Sequence, residues 1–377
     1  MSKLADALRI GFLALLPGTL VHAQATAAKW MSRASMPLAR AETGAARVGD
    51  KIYVACGFQG GLQPSKDFFA YTPGKNTWET LTSVPTALHH TALASAGGKL
   101  YVMGGVPYGP GGGPNLNTGA EWSGSSNAFE YDPATKQWRR LKSLPHSTAA
   151  AGVVAFGNKI YVIGGVDSTG VALDLVQVYD PAAETWAPGK TMPTKREHVG
   201  AAVLDSLIYV VSGRLGQTSM AKLEAYSPAS DKWYPLKDMP TLRSDVGFGQ
   251  AKGKFYSMGG EKPGIFDVNE EYDPATNTWK TALKMTATRK AMSMVNFEDT
   301  LFVFGGFSAS GSISTVEAFV PPGTATALLR NVKRTEGIRR LSGGRSAVAP
   351  FVDAAGRLGQ FAPGSRNAAR NGVRFIR

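Results

Sequence analysis

The chain has a single cysteine, Cys56, so no disulfide can form within it. Acidic side chains are also in short supply: 28 Asp and Glu stand against 41 Lys and Arg, a formal charge of +13. Long apolar runs are missing. The longest, from Ile10 to Val21, is broken by Gly11, Pro17 and Gly18. It falls short of the ~20 residues that cross a bilayer, and no other segment comes near a membrane span. Lys3 and Arg9 lead into that run and Val21-His22-Ala23 follows it, the pattern of a secretory signal cleaved after Ala23. A periplasmic or secreted location is the expectation.

The positive charge is uneven. Residues 321–377 hold ten Arg and one Lys against two acidic groups, a net +9, and residues 1–23 contribute +1. Residues 24–320 therefore carry +3, which excludes a polyanion-binding surface over the whole chain. The tail is rich in Ala, Gly and Ser and is expected to be disordered. No motif for specific nucleic-acid binding accompanies its arginines.

What the chain does have is a repeat. Six tryptophans each precede a glycine by 27 residues: Trp30/Gly57, Trp78/Gly105, Trp138/Gly165, Trp186/Gly213, Trp233/Gly260 and Trp279/Gly306. Successive units are 48, 60, 48, 47 and 46 residues apart, a period of propeller blades or solenoids. Each unit holds a small-residue strand, a polar turn, an alternating run such as Lys159-Ile-Tyr-Val-Ile, and a glycine doublet. A third strand then ends in an aromatic-x-Pro turn, as at Tyr179-Asp-Pro, before the tryptophan of a fourth. Four antiparallel strands per unit make the blade of a β-propeller.

The glycine doublet, the Tyr-Asp-Pro turn and the following Trp together resemble the kelch repeat, over residues 28 to about 320. The implied fold is all-β: a six-bladed kelch propeller over residues 24–320, between a signal peptide (1–23) and a basic tail (321–377). Cys56 and Ser212 replace the first glycine of their doublets, and Phe319 ends the last unit with no tryptophan after it. The segment around residues 29–36 is therefore expected to supply the last blade's outer strand and close the ring. The tryptophans are expected to pack between blades.

Candidate ligand contacts follow from the repeat. The Trp-to-Gly distance is constant, so insertions fall between the second and third strands. The second unit carries twelve extra residues around positions 109–126, with Tyr108 and Trp122 as lid candidates. Just before the inner strands, Arg40, Arg196, Arg243 and Arg289 fill one repeat position, with Leu88 and Thr148 in the other two units. Two residues on stand Glu42, His90, Ala150, His198, Asp245 and Ala291. Spacing of two on a strand places both sets on one face, around the channel entrance.

Resemblance to kelch domains that bind acidic peptides implies that the four arginines grip ligand carboxylates, a task guanidinium suits. Alternatively they pair with Glu42 and Asp245 and line the channel. Glu42, His90, His198 and Asp245 are candidates for proton transfer. A metal needs three or more convergent ligands, and two histidines two blades apart do not supply them; neither metal nor cofactor is expected.

The expected function is recognition of an acidic small molecule, glycan or peptide at the channel mouth. The alternative is a sugar mutarotase, by a weaker resemblance to periplasmic kelch sialic-acid epimerases. Resemblance to the galactose-oxidase group would imply copper chemistry, but no His/Tyr constellation stands near Cys56 in sequence.

Overall fold

The computed structural model describes residues 26–60, 63–107 and 123–324, together with the short strands Phe351–Val352 and Leu358–Gly359. The expected signal segment, Tyr108, Trp122 and most of the basic tail lie outside the described residues. The chain divides at Leu329, and in the second unit the two short strands pair antiparallel.

Six four-stranded antiparallel sheets make the propeller. Blade one runs from the axis outward as Gly44–Val48, Lys51–Ala55, Phe68–Thr72 and Thr77–Thr80. Blades two to five repeat this order over residues 92–140, 152–189, 200–235 and 247–281. Blade six has Ser293–Phe297, Thr300–Phe304 and Val316–Val320, and its rim strand is Lys29–Arg33 from the other end of the chain. Trp30 faces Phe319 across that pairing, so the ring closes as the lack of a tryptophan after Phe319 implies.

The core lies between blades, because each sheet buries both faces against its neighbours. Six apolar clusters fill the six junctions. One joins Tyr53 and Phe68 to Leu93, Leu100 and Phe129, and the closing one joins Phe302 and Phe304 to Ile52, Val54 and Tyr71. Aromatic rings at this density explain how small sheets hold together, since each buries a large apolar area.

The repeated tryptophans tie blades in a second way. Each indole packs on the aromatic of its own third strand, with centroids 4.9 Å apart for Trp78 and Tyr71 and 5.1 Å for Trp30 and Phe319. Each Nε1–H also donates to a backbone carbonyl that leads out of the preceding blade. The acceptors of Trp30, Trp78, Trp138, Trp186, Trp233 and Trp279 are Lys284, Ala34, Thr82, Lys142, Lys190 and Lys237. Six clasps run around the rim.

The glycine doublets do the same work near the axis. The amides of Gly57, Gly105, Gly165, Gly260 and Gly306 donate to the carbonyls of Leu88, Thr148, Arg196, Arg289 and Arg40 on the next blade. Gly305 shows why the slot is small: its φ is +55°, and a Cβ there would meet the Arg40 carbonyl at 2.2 Å. At Ser212 the side chain itself makes the link, its Oγ donating to the Arg243 carbonyl at 2.6 Å.

Candidate functional site

Between the arginine position and the inner strand the backbone turns over. Glu42, His90, Ala150, His198, Asp245 and Ala291 all have φ between 51° and 58°, in the left-handed region. Their amides and carbonyls join into a hoop about the axis. Ala150 donates to His90, His198 to Ala150, Asp245 to His198, Ala291 to Asp245 and Glu42 to Ala291, over 2.8–3.4 Å. The six side chains therefore converge at the neck of a channel whose cavity measures about 160 Å³.

That turn overturns the expected arrangement of the arginines. A left-handed residue breaks the two-residue alternation of a strand, so the two repeat positions point in opposite directions. Arg40, Arg196, Arg243 and Arg289 are buried and reach outward into their own blades. Arg196 pairs with Glu224 and Arg243 with Glu270, both at 2.5 Å. Arg40 pairs with Asp67 and Arg289 with Glu317. Arg243 also donates to the carbonyls of Gly259 and Ser257, which staples connector to sheet. None of the four lines the channel, and none pairs with Glu42 or Asp245.

The neck instead gathers Glu42, His90 and His198. Glu42 Oε1 lies 3.2 Å from His90 Nε2 and 4.0 Å from His198 Nε2, and the two imidazoles meet edge to face with centroids 4.8 Å apart. The expectation that two blades separate these histidines too widely fails because the hoop is narrow. Its positions crowd together at the axis even when their blades do not touch.

Above the hoop sits a second layer that the repeat alignment did not single out. Residues just before the hoop bridge those just after each glycine doublet: Ala41 with Phe58, His89 with Val106, Ala149 with Val166, Glu197 with Arg214, Ser244 with Glu261, and Lys290 with Phe307. The layer is lopsided. Val106, Ala149 and Val166 form an apolar patch on blades two and three. Phe58 stacks on His89 at 4.0 Å and lies 6.2 Å from Phe307.

Blades four to six carry the charge. Arg214 donates to Glu197 at 3.0 Å, to Glu261 at 2.5 Å and to His198 Nε2 at 3.2 Å, while Lys290 pairs with Glu261. Glu197 in turn holds His198 Nδ1 at 2.9 Å. The signal for these residues was present in the sequence: they occupy the two repeat positions flanking the hoop residue and the doublet.

Burial sets the electrostatics. It raises Asp245 to about 8, with repulsion from Glu42 adding to the effect, and it raises Glu42 as well. It also pushes His89 down to about 2 and His90 well below the ordinary imidazole value, with neighbouring histidines contributing. For Glu197 burial acts upward, yet the His198 hydrogen bond and the charge of Arg214 outweigh it and hold the group at about 2. The site thus combines a carboxyl that keeps its proton at pH 7 with fixed carboxylates and cations.

The profile of the KLHDC2/KLHL20/DRC7 Kelch-repeats domain matches residues 20–187 and 111–306, which together take in all six doublet positions. The chain belongs to the kelch-repeat family. Among solved structures, "Structure of YjhT" shares the fold with a TM-score of 0.66 at 15% identity, over 76% of this chain and 96% of that one. A search of curated protein sequences returns no match. The hoop and second layer of this chain carry a His/His/Glu neck beneath a half-charged layer. No helix of the described residues is long and apolar enough to cross a membrane.

Proposed function

We propose that the protein is an exported kelch propeller that binds an acidic glycan at the mouth of its channel. The lopsided second layer carries this reading. Phe58 on blade one stands across the ring from Arg214 on blade four, so the layer sets aromatic groups on one side and fixed charges on the other. Binding sites typically combine apolar walls with a few convergent polar groups in this way. A ligand carboxylate would compete with Glu261 for Arg214 and Lys290, taking over the role first expected of the four buried arginines. Hydroxyl groups would meet Glu197, Glu261 and the hoop.

Thermal shift of the full chain against glucuronate, N-acetylneuraminate, neutral sugars and an acidic peptide tests the reading. At one hundred times Kd a ligand stabilises by about 2.7 kcal/mol. Acidic sugars are expected to raise the melting temperature, and Arg214→Ala to abolish that rise. Equal shifts with neutral sugars, or a shift only with the peptide, would exclude the acidic-glycan assignment.

Asp245 supports a second reading, sugar mutarotation. A carboxyl held to about 8 offers a proton at neutral pH, and the depressed His90 on the same hoop remains unprotonated. Asp245→Asn is then expected to bind the sugar yet lose anomer interconversion, followed by polarimetry or NMR. Unchanged interconversion in that variant would remove Asp245 from the chemistry.

A further inference from the structure

We propose that Glu42, His90 and His198 bind a divalent transition-metal ion, zinc by preference, at the neck of the channel. Among the described residues these three form the one group whose donor atoms converge, all lying within 4.8 Å of one another. Two imidazoles and a carboxylate are a zinc ligand set that leaves a fourth position open. Donor atoms around a tetrahedral ion with bonds of ~2.0–2.1 Å stand about 3.3 Å apart. The His90–Glu42 distance of 3.2 Å already meets this, and the His198–Glu42 distance of 4.0 Å requires a small inward ring rotation.

Three further observations favour an ion over a simple polar cluster. The first is the outer support of the ligands. His198 Nδ1 is held by Glu197 at 2.9 Å and His90 Nδ1 by His89 Nδ1 at 2.5 Å, so both Nε2 atoms are turned toward Glu42. A carboxylate behind a histidine is the usual second layer of a zinc site, where it fixes the tautomer and strengthens the ligand. Arg214 can only donate, so its contact with His198 Nε2 at 3.2 Å requires a lone pair there. An arriving ion would take that lone pair, and Arg214 would keep Glu197 and Glu261.

The second is charge. The titratable groups acting on the cluster are the acids Glu42, Glu197, Asp245 and Glu261, set against the cations Arg214 and Lys290. Acidic side chains thus outnumber cations four to two about the ligands, a composition that suits a bound cation. The third is rigidity. All three ligands sit on the hydrogen-bonded hoop, a scaffold that fixes their backbones before any ion arrives. The open coordination position faces the channel, where it would accept a water, hydroxyl or carboxylate oxygen.

The test uses untagged full-length protein, stripped with EDTA and titrated with zinc chloride by calorimetry. Cobalt chloride serves as a spectroscopic probe. One equivalent of zinc is expected to bind, and cobalt to give the visible absorption of a four-coordinate site. Losing a second-layer partner costs about 10- to 100-fold in metal affinity. Glu197→Gln is therefore expected to weaken binding by that range, and His90→Ala or His198→Ala by more than about 100-fold.

His146→Ala, a change away from the hoop, is expected to bind as the parent does. Absence of a one-to-one isotherm overturns the proposal, as does binding that survives the His90 and His198 substitutions. Near-ultraviolet circular dichroism checks that each variant folds. Should either histidine variant unfold, Glu42→Gln and the paramagnetically shifted histidine ring protons of the cobalt-loaded parent decide the matter, and a spectrum without histidine shifts also overturns it. Sugar binding measured in EDTA remains a separate question, so either reading can fail alone.

Discussion

The indole Nε1–H of Trp30 donates to the backbone carbonyl of Lys284 at 2.7 Å, joining the first strand of the propeller to the connector leaving blade five. Trp30→Phe removes that bond while keeping much of the ring contact with Phe319, and should cost about 1 kcal/mol. Trp30→Ala also empties the pocket and should cost about 3 kcal/mol or more. Urea unfolding of both variants separates the clasp from the packing. Equal losses would assign all of the effect to the clasp.

The Arg243–Glu270 pair is sealed inside blade five, both side chains almost inaccessible. Removing one partner strands a buried charge, so Arg243→Ala should destabilise by about 3–5 kcal/mol. The double change Arg243→Met/Glu270→Met should recover most of that loss, because two matched apolar groups avoid the desolvation of both ions. Ligand affinity should be unchanged in the double variant. A large drop in affinity without loss of fold would return Arg243 to the binding surface.

Asp245 makes stability depend on pH in an unusual direction. Its carboxyl titrates near 8 in the folded chain against an ordinary 3.8. Below the ordinary value both states hold the proton and the group contributes nothing to pH dependence. As pH rises from there toward 8, the unfolded chain ionises first, so stability is lost across that window. In EDTA, Asp245→Asn and the parent should melt alike near pH 4, with the variant melting higher at pH 8. Parallel pH profiles would show that the carboxyl ionises normally inside the neck.

The glycine slot gives a contrast within one repeat position. Gly305→Ala sets a Cβ against the Arg40 carbonyl at a positive φ and should cost more than about 1 kcal/mol. At Ser212, already at a φ of 64°, change to glycine exchanges one hydrogen bond for relief of strain. That substitution should move stability by less than about 1 kcal/mol. Chemical denaturation of the two variants side by side checks the order.

Much of the architecture was legible because the features that build it are periodic. The Trp-to-Gly interval encodes blade number, and the missing tryptophan after Phe319 encodes how the ring closes. The direction of the arginines was not legible. Alignment places Arg196 and His198 two apart, and alternation then assigns them one face. The positive φ at His198 reverses this, and neither a histidine nor an alanine at that position announces it. His90 and His198 were visible as candidates but not as neighbours, since their proximity depends on the diameter of the hoop rather than on any spacing along the chain. Arg214, Glu261 and Lys290 were passed over because each occupies a repeat position filled by unrelated residue types elsewhere. Variability of that kind, at positions framed by invariant structure, was the signal.

The rim strand of blade six comes from the beginning of the chain and its partner from near the end. During synthesis Lys29–Arg33 emerges long before Val316–Val320 exists. Among the described residues the first strand made therefore waits for its partner until nearly the whole propeller has been synthesised. Joining such distant segments is the slow step of a folding reaction.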